Sequence, residues 1–172
     1  MKERFCPWCR HQFRLDLVFS HYPSIHNAQH CARVLRYALM IAEAKGLSRE
    51  QKETLAAAAV FHDCGRLADG YDVGHGARSA ARYREYCAET GMAYDPISAE
   101  LMAWHDRHDA DGVAAIERAH PDRADAVLLY QIFKDSDGLD RLRLGPNELD
   151  LDRLRTPEGR ALYDYARKLA CG

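Results

Sequence analysis

The stretch SREQKETLAAAAVFHDCG, residues 48–65, constrains the fold more than any other part of the chain. Ser48 followed three residues later by Gln51 reads as a capping box, so a helix begins there and is predicted to run to about Gly65. The run TLAAAAVF is apolar and reads as a buried face. It ends in His62 and Asp63, two charge-bearing residues where core is expected. An unpaired carboxylate in an apolar interior costs on the order of several kcal/mol or takes up a proton. Other segments therefore have to bring Asp63 a partner, a hydrogen-bond network or a cation.

The rest of the chain is also helical in pattern. Cys31, Val34, Leu35, Ala38, Ile41 and Ala42 recur at steps of three and four, which predicts an amphipathic helix from Ala28 to Lys45, closed by KGLS. LADGYDVGHG then reads as a loop with three glycines, and a third helix is predicted over Ala77 to Glu89. A fourth runs from the cap-like DPIS to about His108, and a fifth lies between Asp122 and Asp135. Near the end, TPEGRALYDYARKLA has Thr156 as a cap and Pro157 in a first turn. No segment alternates with β-branched enrichment, so the fold class is all-α.

At 172 residues the chain is read as one domain, able to bury roughly 70% of its unfolded surface without disulfide staples. Residues 1–22 hold most of the aromatic and cysteine oddities and are read as an extension preceding a helical domain over 23–172. Nothing is long and apolar enough to span a bilayer, and MKERFCPWCRHQF lacks the apolar core of a secretory signal; membrane association is not expected and a cytoplasmic location is. A net charge of −2 argues against a footprint for duplex nucleic acid. The six cysteines then read mainly as small buried residues. Cys6 and Cys9 form half of a structural zinc site without a matched second pair; two plain thiols and a redox pair are the other readings.

His30 opens the first helix, His62 and Asp63 close the second, and KDSDGLDRL places Asp135 and Asp137 at the end of the fifth. A divalent cation held by imidazole nitrogen and carboxylate oxygen at converging helix ends would neutralise those carboxylates. These stretches resemble the H…HD…D signature of the HD-domain superfamily, whose members are all-α metal-dependent phosphohydrolases. The likeness covers about residues 24–145 and is closest to small bacterial HD proteins in SIHNAQHCARV, HDCGRLADGYDVGHGARSA and DSDGLDRLRLG. The resemblance implies a helical bundle and the metal ligands His30, His62, Asp63 and Asp137, with Asp137 preferred to Asp135 because it stands in DGL. His75 and His105 lie where some HD proteins bind a second metal, as direct ligands or as neighbours of one. His108 is an alternative to His105 if both share a helical face, and His26 is read as a substrate-side group. His11, His21 and His120 read as surface residues.

Manganese, nickel, cobalt, magnesium or iron, one or two ions per chain, would activate water against a small phosphorylated substrate, most simply a nucleotide. Asp63, or His105 if it is not a ligand, is the expected proton acceptor. Arg66 is expected to bind phosphate, supported by Arg78 and Lys134, each of which reads otherwise as a solvated charge. Tyr71 offers a stacking face for a base or sugar, or packs as core. Two other functions use the same residues. One is an HD-type di-iron oxygenase with four histidines and two aspartates; the other is a metal-binding sensor module without hydrolysis. The sequence sets neither the substrate nor the oligomeric state.

Overall fold

Every residue from Thr54 to Phe61 is buried, so the second helix has no solvent face over two turns and needs neighbours on all sides. A computed structural model of the chain, which describes residues 25–145 and 147–170, supplies them. The helices are α1 (Ala28–Ala44), α2 (Arg49–Phe61), α3 (His75–Thr90), α4 (Pro96–Trp104), α5 (Asp109–Ala119), α6 (Ala126–Asp140), α7 (Pro157–Ala161) and α8 (Tyr163–Ala170). Short 3₁₀ turns follow α6 at Arg141–Leu144 and precede α7 at Leu151–Arg153. Among the described residues there is no strand, and the fold is all-α. The expected boundary at residue 22 and the Cys6–Cys9 pair lie outside the described residues.

α2 packs against α1, α4 and α6 and touches α3. The four alanines at 56–59 put little side-chain bulk between it and those neighbours, which lets the helix axes approach closely. α1 turns the expected apolar positions inward, together with His30 and Tyr37. Phe61 closes the bottom of α2 between the rings of Tyr83 and Tyr86 of α3, with centroids 5.2 and 5.0 Å away. The C-terminal end of α2, the N-terminal ends of α1 and α3, the C-terminal end of α4 and the last turns of α6 consequently meet on one side of the bundle.

Several helices differ from expectation. α2 stops at Phe61, four residues short of Gly65, because the chain switches to three-residue turns: Cys64 N–H donates to the Phe61 carbonyl and Arg66 N–H to that of Asp63. Gly65 then lies so close to Arg78 and Ser79 of α3 that a Cβ there would collide with backbone. α4 stops at Trp104 and not His108, because the Lys134 ammonium draws in the carbonyls of His105 and Arg107 at 2.8 and 3.0 Å. α5 was not anticipated; its N-cap His108 makes no side-chain cap bond, and Gly112 interrupts the pattern to admit the Tyr130 hydroxyl. α6 begins at Ala126 and continues to Asp140, so Asp137 sits within the helix, one turn from its end.

Candidate metal centre

Four histidines converge where those helix ends meet, and a second bond fixes each ring. His62 Nδ1–H donates to the Ala59 carbonyl (3.0 Å), His75 Nδ1–H to that of Asp72 (2.6 Å) and His105 Nδ1–H to that of Met102 (2.7 Å). His30 Nδ1–H donates to the Asp140 carboxylate (2.7 Å). A carbonyl or carboxylate oxygen accepts only, so the proton of each neutral ring resides on Nδ1 and the Nε2 lone pair faces inward. The four Nε2 atoms fall into two pairs, His30 with His62 at 3.1 Å and His75 with His105 at 2.9 Å.

Asp63 stands between the pairs. Its Oδ2 is 3.3 Å from His30 Nε2 and 3.5 Å from His62 Nε2; its Oδ1 is 3.1 Å from His75 Nε2 and 3.7 Å from His105 Nε2. Asp137 Oδ1 joins the first pair at 3.4 and 3.7 Å. Two donor groups result, His30–His62–Asp63 and Asp63–His75–His105, all buried and sharing Asp63. Lone pairs this close repel unless a cation or proton lies between them. The spacings also suit a cation: with bonds of about 2.1 Å, adjacent donors are about 3.0 Å apart on an octahedron and about 3.4 Å on a tetrahedron. The residues therefore fit one or two divalent cations. Asp137, with 32% of its side chain exposed against 3% for Asp63, marks the open side.

The charges follow the same geometry. Burial alone would lower the His30 pKa, but the bond to Asp140 and the carboxylates of Asp63 and Asp137 outweigh it and raise it to about 9. His62 is lowered to about 4, chiefly by burial, against the pull of Asp63 and Asp137. Burial would raise Asp63, yet His62, His105, His30 and His75 hold it well below the usual carboxylate range; Asp137 is lowered against its burial by His62, His30 and His105. His105 is raised, because Asp63 overcomes its burial. Both carboxylates thus stay ionised and accept cations.

The other expected residues divide. Asp135 is fully buried and turned the opposite way from Asp137, as residues two apart on a helix must be; it accepts from the Arg155 and Thr156 amides, both at 2.8 Å. His108 is not an alternative to His105, since the helix ends between them and His108 starts α5. Arg66 lines the cavity over the centre, its Nη1 2.9 Å from His75 Nδ1 and 3.9 Å from Asp63 Oδ1, while its buried Nε–H has no acceptor. Tyr71 is 95% exposed at the same cavity, which removes the core-packing alternative. His26 also lines it, 3.3 Å from Asp69.

Arg78 and Lys134 already have partners within the fold. Arg78 donates to the Gly65 carbonyl (2.9 Å) and to Asp72, stapling the loop below the cavity instead of lining it. Lys134 lines the cavity, but its three N–H groups are directed at the His105 and Arg107 carbonyls and at Asp109 (3.1 Å). It holds the His105 turn in place and has no donor left for phosphate.

Sequence reasoning missed Asp140 and Asp106. Asp140 fixes His30 and is itself held by Arg33 at 2.6 Å and Arg143 at 3.0 Å; its three-residue spacing from Asp137 was the available signal. Asp106 accepts from the Gly74 amide at 2.5 Å, capping α3 beside His75, while its buried Oδ1 has no hydrogen-bond donor. The cavity, about 580 Å3, carries six cationic residues against four carboxylates: Arg66, Arg107, Lys134, Arg141, Arg143 and Arg153, with Asp63, Asp72, Asp106 and Asp137.

Comparison with known proteins gives one match. The family model for the HD domain aligns with residues 27–142, from the residue capping α1 to the turn after α6, and so takes in all six donor residues. No curated protein and no solved structure matches the chain. The match spans well over half of the 172 residues, and the chain belongs to the HD-domain family.

Proposed function

We propose that the protein is a phosphohydrolase using two divalent cations, and that its substrate is a small phosphorylated molecule of the nucleotide type. The observation that carries this reading is Asp63, which presents one oxygen to each of two imidazole pairs at the base of a cation-rich cavity. Members of the HD-domain family are in general metal-dependent phosphohydrolases, which agrees with it. Cations bound there would lower the pKa of a bound water and polarise a phosphoryl oxygen.

The chain's own residues have distinct tasks. Both oxygens of Asp63 and the Nε2 of His105 face into the donor set, which favours them as holders of cations over the proton-accepting role. Asp137 is the carboxylate of the set that water in the cavity reaches, and it takes the proton of the attacking water. Arg66 places a guanidinium over the Asp63–His75 side to steady charge on the phosphoryl oxygens. Tyr71 at the rim stacks on a base or sugar.

The test is a screen of metal-loaded protein against nucleoside phosphates and dinucleotides, following phosphate and alcohol release together with oxygen uptake. Metal-dependent hydrolysis is expected. Oxygen consumption by an iron-loaded centre without hydrolysis would favour the oxygenase, and tight metal binding without any turnover a sensor module.

A further inference from the structure

The cavity over the centre does not end there. A second cavity of about 490 Å3 lies under the segment between α6 and α7, and the two share His105, Lys134, Asp137, Arg141 and Arg153. His105 and Asp137 thus put one edge of the donor set at the waist of a two-lobed cleft. The lobes differ in chemistry. The first holds Arg66, Arg107 and the exposed Tyr71. The second is walled by Asn147, Glu148 and Asp150, and its own cation, Arg155, is occupied by Asp109 at 2.6 and 2.8 Å and Asp135 at 3.2 Å.

A terminal phosphomonoester needs room on one side of phosphorus only. Among the described residues, a chain of further phosphates finds no free cation of its own beyond the waist, where Arg155 is occupied and Glu148 and Asp150 line the wall. Carboxylate and amide oxygens suit hydroxyl or amino donors instead. At the waist, Arg141 is engaged by the Glu148 carbonyl at 2.9 Å, whereas no carboxylate or carbonyl engages the Arg153 guanidinium among the described residues.

We infer that the substrate is a phosphodiester with a neutral polar group in the second lobe and its other group beside Tyr71 in the first, with Arg153 binding the phosphate at the waist. This rests on the phosphohydrolase reading and narrows its substrate. The reaction is then balanced: water oxygen bonds to phosphorus, the phosphorus–oxygen bond to the second-lobe group breaks, and that group leaves as an alcohol carrying a proton from the water. The first-lobe group keeps the phosphate as a monoester.

The experiment compares a linear dinucleotide with a nucleoside monophosphate on the metal-loaded protein, and measures equilibrium binding of the phosphorothioate-linked dinucleotide with metal and after chelation. The dinucleotide is expected to have at least a tenfold higher kcat/KM. The double variant Glu148→Ala, Asp150→Ala is expected to weaken binding of the analogue about tenfold and to lower turnover of the dinucleotide more than that of the monophosphate, whereas Arg153→Gln weakens both alike. Equal or better turnover of the monophosphate, with analogue binding unchanged in the double variant, overturns the inference and leaves the hydrolase standing. Hydrolysis of neither compound removes the functional reading and this inference with it.

Discussion

Asp63 carries two jobs because it follows His62 just past the end of α2, where the chain leaves helical geometry and one carboxylate can be offered to both imidazole pairs. Asp63→Asn is therefore expected to lose both cations, while His75→Ala or His105→Ala lowers metal content from about two toward one per chain, read by elemental analysis on folded protein. In the metal-free protein His30 is raised from 6.5 to about 9. A raised pKa means that the extra stability the charged ring draws from Asp140, Asp63 and Asp137 is complete below about pH 6.5 and is lost as pH rises through about 9, while the Nδ1–H bond to Asp140 remains. A cation needs the neutral ring, so metal uptake at pH 7 is expected to release a proton, measurable by calorimetry in buffers of different ionisation enthalpy; uptake without proton release would contradict the assignment of His30. Arg66→Ala is expected to keep metal and lose roughly a hundred- to a thousandfold in kcat, the usual cost of one well-placed transition-state contact. A variant within twofold of wild type would remove Arg66 from the chemistry.

Elements set the spacing of the two imidazole pairs, and small residues set the elements. A Cβ on Gly76, one residue into α3 from His75, would collide with the Met102 carbonyl of α4 and press on His105. Gly76→Ala is expected to push α3 off α4, separate His75 from His105, and cost the second cation with the first retained. Gly46→Ala is the control: its φ of +70° strains a Cβ, but nothing lies within 4 Å, so about 1 kcal/mol of stability is lost and metal content is unchanged. The elements also show what was readable in the sequence. Ser48 with Gln51, and Asp95 before Pro96, are local cap signals and start their helices where expected. The end of α4 depends on Lys134, 29 residues beyond His105, which no local pattern reveals. His30, His62, Asp63 and Asp137, which the fold brings together, stand in short motifs that single them out in the sequence. Asp140 and Asp106 are not singled out there, because each acts by orienting another residue across the fold, and the carbonyl partners of Arg78 and Lys134 leave no trace in side-chain pattern.

Across the whole molecule the centre ties together five helices by their ends, so cations at it also brace the bundle. Metal binding to the folded state alone adds about 4 kcal/mol at a thousandfold excess over Kd, and chelation is expected to lower Tm by roughly 8–16 °C for a chain of this size. An unchanged Tm after complete metal removal would mean that the helix ends hold one another without cations. The buried alanine face of α2 and the shared Asp63 then belong to one design: an enclosed helix delivers the bridging carboxylate to the side of the bundle where the cavity lies. The most direct test of the bridged pair is an anomalous-scattering map of crystals grown with manganese. Two peaks about 3.5–4 Å apart, one against His30, His62 and Asp137, the other against His75 and His105, with Asp63 between them, are the expected result. A single peak, or two that do not share Asp63, would contradict it.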